Sequence, residues 1–170
     1  MSKGLIGCGV IVVIALILVA TGVGSYNRLV NLDEGVDNAW SQVENVYQRR
    51  ADLIPNLVAT VKGAKEFEQE TLTQVVEARA KVGQVNFNKA PDAAQLEQFE
   101  AAQSQLSSAL SRLLVVVERY PELKATEAFR DLQAQLEGTE NRITVERKRF
   151  NDATLDYNKT RRQFPTILLA

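Results

Sequence analysis

The residue types that usually carry protein chemistry are scarce in this chain. Of its 170 residues none is histidine, which excludes histidine-ligated zinc, Glu-x-x-His di-iron sites and every Ser-His or Cys-His nucleophile pairing. Cysteine occurs once, at Cys8, so there is no internal disulfide and no thiolate metal cluster. Carboxylates remain. Glu66, Glu68 and Glu70 alternate along one segment, but at helical spacing they cannot share a face, and they read as a solvated acidic surface rather than a cation site. No catalytic, cofactor-binding or metal-ligating residue is assigned, and the chain is read as a non-enzyme that uses no cofactor.

The basic residues are more informative. Arg50 breaks an otherwise apolar helical stripe and needs a partner if it is buried, for which a Glu or Asp on the third or fourth helical segment is expected. Together with Gln48, Arg49, Asp52, Pro55 and Asn56 it makes a dense polar group, a candidate docking corner at the membrane-distal end of the domain. From 142 to 162, Arg142, Arg147, Lys148, Arg149, Lys159, Arg161 and Arg162 outnumber Glu146, Asp152 and Asp156. A solvated face, and cations placed at a helix C-terminus, account for such a run in many proteins. The functional alternative is contact of Lys159, Arg161 and Arg162 with anionic headgroups, each worth about 1 kcal/mol near a charged surface, with Ile167, Leu168 and Leu169 dipping into the interface. Arg28 is the matching contact just after the apolar N-terminal segment. The whole chain has 20 basic and 21 acidic residues, without the positive excess of a nucleic-acid binder.

These groups must be positioned by two kinds of element. The first is a run of 19 uncharged residues from Leu5 to Val23. At about 1.5 Å per residue it nearly matches a hydrocarbon core of roughly 30 Å, so it reads as one spanning helix marked by Leu5, Val10, Ile14, Leu18 and Val23. A cleaved secretory signal is the rival, but the run exceeds the usual h-region of about 7 to 15 residues and Ala20-Thr21-Gly22 is a poor cleavage site. Residues 1–25 are therefore taken as a membrane anchor. Lys3 precedes the span and Asp33, Glu34 and Asp37 follow it, which favours a cytoplasmic N-terminus and an extracytoplasmic domain. Small residues four apart, Gly4 with Cys8 and Ala20 with Gly24, suit close approach of a second copy of the helix.

The second kind is the amphipathic helix. Leu29, Leu32, Val36, Ala39, Val43, Val46 and Leu53 step by three and four. Asp52 and Pro55 interrupt this stripe and predict a tight helix-to-helix turn, with a kinked continuous helix as the rival. A second stripe runs from Pro55 to Val82, a loop covers 83–91, and Asp92 caps a third helix carrying Leu96, Phe99, Leu106, Leu110, Leu113 and Val117, stopped by Pro121. A fourth runs from Ala125 to Phe164. Trp40 and Tyr47, seven apart, are expected to pack in the core. The prediction for 26–170 is an all-α domain, an antiparallel up-and-down four-helix bundle whose C-terminal end faces the bilayer.

Several segments resemble the LemA family: Tyr26-Asn27-Arg28-Leu29-Val30, Ala39-Trp40-Ser41, the block from Gln48 to Gly63, Glu140-Asn141-Arg142-Ile143, Arg149 to Ala153, Tyr157-Asn158 and Phe164-Pro165. The resemblance implies a single-pass bacterial membrane protein with a helical domain and no established activity. Some descriptions of the family put the short N-terminus outside, opposite to the charge count. Relatives often carry an aromatic after Val-Lys-Gly and a histidine before Glu, where this chain has Ala64 and Phe67. They also commonly continue past Phe-Pro with another aromatic-bearing segment, so a longer parent chain is one expectation.

Two functions fit. The first is a non-enzymatic scaffold that contacts the lipid bilayer and self-associates as a homo-oligomer. The second is an adaptor that docks a membrane protein partner, such as a protease, on the corner from Arg49 to Asn56. A carboxylate-only hydrolase or a ligand receptor would need polar groups facing the domain interior.

Overall fold

A computed structural model describes residues 2–64, 67–85, 87 and 89–168, with side chains from residue 11 onward. Those residues form five helices and no strand: α1 (Ser2–Lys62), α2 (Gln69–Val82), α3 (Ala93–Val117), α4 (Pro121–Lys124) and α5 (Glu127–Arg161), followed by a 3-10 turn at Thr166–Leu168. Unequal helices stand in place of the four comparable ones expected.

The main correction concerns Pro55. It lies inside α1, which runs unbroken for 61 residues, so the turn predicted at 52–55 does not exist and the continuous-helix alternative holds. Proline lacks the N–H that would reach the carbonyl of Ala51. That carbonyl instead accepts a hydrogen bond from Arg79 Nε on α2, at 2.9 Å. The helix ends further on, where the Gly63 and Ala64 amides fold back onto the Thr60 and Val61 carbonyls at 3.3 and 3.1 Å. The second helix accordingly begins at Gln69 and has 14 residues.

The other boundaries follow local chemistry more closely. Asp92 accepts from the Gln95 amide at 2.9 Å while its own N–H donates to Gln95 Oε1 at 3.0 Å, a reciprocal cap that starts α3. α3 ends at Val117, and Pro121 opens the single turn α4, where its missing donor costs nothing. The Thr126 hydroxyl accepts from the Phe129 amide at 3.3 Å at the head of α5. Beyond Arg161, the Thr166 hydroxyl donates to the carbonyls of Thr160 and Gln163, the latter at 2.7 Å, and so satisfies carbonyls left over at the helix end.

The chain divides into two compact units. One comprises Trp40–Arg147. Its core takes Ile54, Leu57 and Val61 from α1, Leu72 and Val75 from α2, Leu106, Leu113 and Val117 from α3, Leu123 from α4, and Phe129 and Leu132 from α5. Beside this core Phe99 makes T-shaped contacts with Trp40 and Tyr47, at ring-centroid distances of 5.2 and 4.9 Å, so both aromatics pack as expected. The other unit comprises Met1–Ala39 and Lys148–Ala170. Within it Leu29, Phe150, Thr160 and Thr166 are buried, whereas the large apolar side chains from Ile11 to Val23 are exposed.

Candidate functional site

Gln48, Arg49, Asp52, Pro55 and Asn56 are all exposed, and at 3.6 residues per turn they fall on one side of α1. They form a face of a continuous helix, not a corner. Gln48 Nε2 donates to Asp52 Oδ1 at 3.0 Å along this face. Arg50 points the other way and is only 4% exposed. Its guanidinium donates to Glu140 Oε2 at 3.0 Å and to Ser107 Oγ at 2.5 Å, so one buried cation ties α1 to α5 and α3. The carboxylate partner does come from the fourth of the long segments, but the pair joins helices rather than locking a turn. Glu68, from the acidic cluster, pairs with Arg119 at 2.6 Å, and Glu70 accepts from Gln74; Glu66 lies outside the described residues.

A second polar constellation was not foreseen. A pocket of about 290 Å³ lies within the unit Trp40–Arg147. Glu44, Tyr47, Gln48 and Ala51 of α1 line it, with Arg79, Ala80 and Val82 of α2, the turn 83–85, and Phe99 and Gln103 of α3. Gln103 is 4% exposed, and neither of its amide atoms has a hydrogen-bond partner among the described residues. Burial raises the Tyr47 phenol above its ordinary value of 10.0, opposed by the charges of Arg147 and Arg50 and by a hydrogen bond with Arg147. The available signal was a gap in the third apolar stripe: between Phe99 and Leu106 a buried helical position is expected, and Gln103 fills it. Among the described residues no group of three or more His, Cys, Asp and Glu is placed to hold a metal ion.

Arg28, Lys159, Arg161 and Arg162 are exposed, and all four belong to the unit built from Met1–Ala39 and Lys148–Ala170. Phe164, Ile167 and Leu168 beside the last three are exposed by 81, 54 and 74%; Leu169 lies outside the described residues. Ile14, Leu18 and Val23 are exposed at 52, 67 and 55% on α1, while the side chains of Leu5, Cys8 and Val10 lie outside the described ones. The N-terminal part of α1 has a mean hydropathy of 1.7 over 18 residues, none of it buried, and is long and apolar enough to cross a membrane.

The model of the LemA family matches residues 39–170. The chain belongs to the LemA family. It is similar to "Protein LemA" of Metamycoplasma hominis, with 24% identity over 80% of this chain and 59% of that protein. "Magnetosome protein MamQ 2" of Paramagnetospirillum magneticum is 26% identical over 89% of this chain and 62% of its own length. "Magnetosome protein MamQ" of Magnetospirillum gryphiswaldense is 24% identical over 85 and 60%. The chain thus spans about three fifths of the length of these relatives. No catalytic family is indicated. The LemA match contains the whole unit Trp40–Arg147, and with it the Arg50–Ser107–Glu140 link, the Ala51–Arg79 hydrogen bond and the pocket.

Proposed function

We propose that this LemA-family chain is a membrane-anchored, self-associating scaffold at a bacterial membrane. The observation that carries the reading is the exposed apolar surface from Ile11 to Val23 on the same helix that supplies Ile54, Leu57 and Val61 to a packed core. Exposing that many large aliphatic side chains to water opposes the hydrophobic effect at about 25 cal/mol per Å², so lipid is their natural surrounding. Likeness to proteins named as magnetosome proteins is in keeping with such a setting. The Trp40–Arg147 unit is read as a helical bundle. Self-association is supported by Ala20 and Gly24 on an exposed part of α1, where a Cβ added to Gly24 meets nothing within 4 Å and a second helix has room to approach. The C-terminal cluster of Lys159, Arg161 and Arg162 with Phe164, Ile167 and Leu168 is read as a second contact with anionic lipid.

The test is co-capture of two differently tagged full-length copies, co-expressed and extracted in mild detergent. Recovery of both tags is expected, reduced severalfold by Ala20→Ile with Gly24→Ile; recovery of one tag alone contradicts self-association.

The second reading, an adaptor for a membrane enzyme such as a protease, is favoured by the exposed polar face of Gln48, Arg49, Asp52, Pro55 and Asn56. Crosslinkers placed on that face are then expected to trap a second protein in the membrane, and trapping only further copies of this chain favours the scaffold.

A further inference from the structure

Past the apolar stretch, α1 keeps one exposed stripe clear of charge. At 3.6 residues per turn Ala20, Gly24, Asn27, Asn31, Gly35 and Asn38 fall on one side of the helix, and all are exposed. They belong to the unit built from Met1–Ala39 and Lys148–Ala170. Asparagine and glycine are weak helix formers, and an exposed helix position has no packing reason of its own to take them. A Cβ added at Gly24 or Gly35 meets nothing within 4 Å, so packing within the chain does not require the missing side chain. Asn27, Asn31 and Asn38 make no side-chain hydrogen bond among the described residues.

We propose, on the basis of the self-association reading above, that this stripe is where two copies of α1 pair in parallel beyond the apolar stretch. Copies anchored by the same segment enter a membrane the same way round, so a symmetric pair sets each residue of the stripe against its own counterpart. A charge there would face a like charge. A carboxamide carries both a donor and an acceptor and so complements a second carboxamide, which is how a single asparagine fixes register in a parallel coiled coil. The glycines let the two backbones approach, continuing the approach that Ala20 and Gly24 allow. The edges of the stripe are complementary in charge. Arg28 borders it on one side and Glu34 on the other, both exposed and neither in an ion pair among the described residues. In a parallel pair the opposite edges of the two helices meet, which brings each Arg28 toward the partner's Glu34. The offset along the axis is about 9 Å at 1.5 Å per residue, a span that the two long side chains bridge.

The experiment is oxidative crosslinking of the full chain in membrane vesicles, with single cysteines introduced in a Cys8→Ser background. Asn31→Cys and Asn38→Cys are expected to form disulfide-linked pairs of this chain severalfold faster than Tyr26→Cys and Asp33→Cys, which are exposed on other sides of the same helix. Charge reversal gives a readout that leaves the stripe itself intact. Arg28→Glu is expected to reduce co-capture of two tagged full-length copies in mild detergent severalfold, and Arg28→Glu with Glu34→Arg to restore it. Where the parent copies still co-capture, crosslinking no faster at Asn31 and Asn38 than at Tyr26 and Asp33 overturns this surface and leaves the scaffold reading standing. Undiminished co-capture by Arg28→Glu, or crosslinking of the stripe to a different protein alone, does the same. Parent copies that never co-capture overturn both.

Discussion

Arg79 lies 28 positions after Ala51 in sequence, yet it completes the hydrogen bond that Pro55 cannot make. Proline in a helix interior costs about 3 kcal/mol, part of it the orphaned carbonyl. Arg79→Met is therefore expected to lose about 1–3 kcal/mol of stability with Pro55 present and nearly nothing in the Pro55→Ala background, where the restored backbone N–H donates to the Ala51 carbonyl. A double-mutant cycle in chemical denaturation checks this, and equal losses in both backgrounds would remove the explanation given for the unbroken helix. Arg50 supplies a second case. Removing the partner of a buried cation is expensive, about 3–5 kcal/mol when both groups are enclosed, but the Glu140 side chain is 60% exposed, so Glu140→Ala is expected to cost about 1–2 kcal/mol. Its effect should vanish in Arg50→Met. Tyr47 makes a pH prediction. Its folded-state pKa is raised above 10.0, chiefly by burial, so the native state holds the phenol proton more tightly than the unfolded chain does. That contribution is complete below pH 10 and is lost as pH rises through the folded value. Unfolding scans should show stability falling more steeply above pH 10 in the parent than in Tyr47→Phe.

At the scale of elements, what was legible in the sequence depended on whether a boundary is decided locally. Asp92 with Gln95 begins α3 through a cap formed within four residues, and the apolar stripe of α3 names five of its eight buried residues. Pro55 misled because the group that compensates for it sits on another helix, and no local rule sees a guanidinium arriving from α2. The true end of α1, at Gly63 and Ala64, carried a weaker signal, a lone glycine after a continuous apolar stripe. In the candidate site, Arg50 was found because a charge on an apolar stripe is conspicuous, and Trp40 and Tyr47 because aromatics seven apart share a face. Gln103 was missed because a neutral amide on such a stripe attracts less notice, and because the pocket it lines requires α2 and α3 to be folded against α1. The C-terminal segment gives a prediction at this scale. Neutralising Lys159, Arg161 and Arg162 together should weaken crosslinking of that segment to anionic lipid severalfold in vesicles containing the full chain, with little change in neutral vesicles. Equal crosslinking in both would reduce the cluster to a solvated helix end.

For the molecule as a whole, a family match over 39–170 and an apolar, exposed N-terminal stretch leave a LemA-family chain whose one helix carries both lipid-seeking and core-forming side chains. In the proposed reading, Ala20 and Gly24 on the exposed part of α1 are where two copies of the helix approach. The central claim is therefore self-association, and the mass of the full chain in mild detergent tests it most directly. Light scattering, corrected for bound detergent, should return a defined multiple of 18.9 kDa that persists on dilution. A particle of 18.9 kDa at every concentration would contradict the scaffold account.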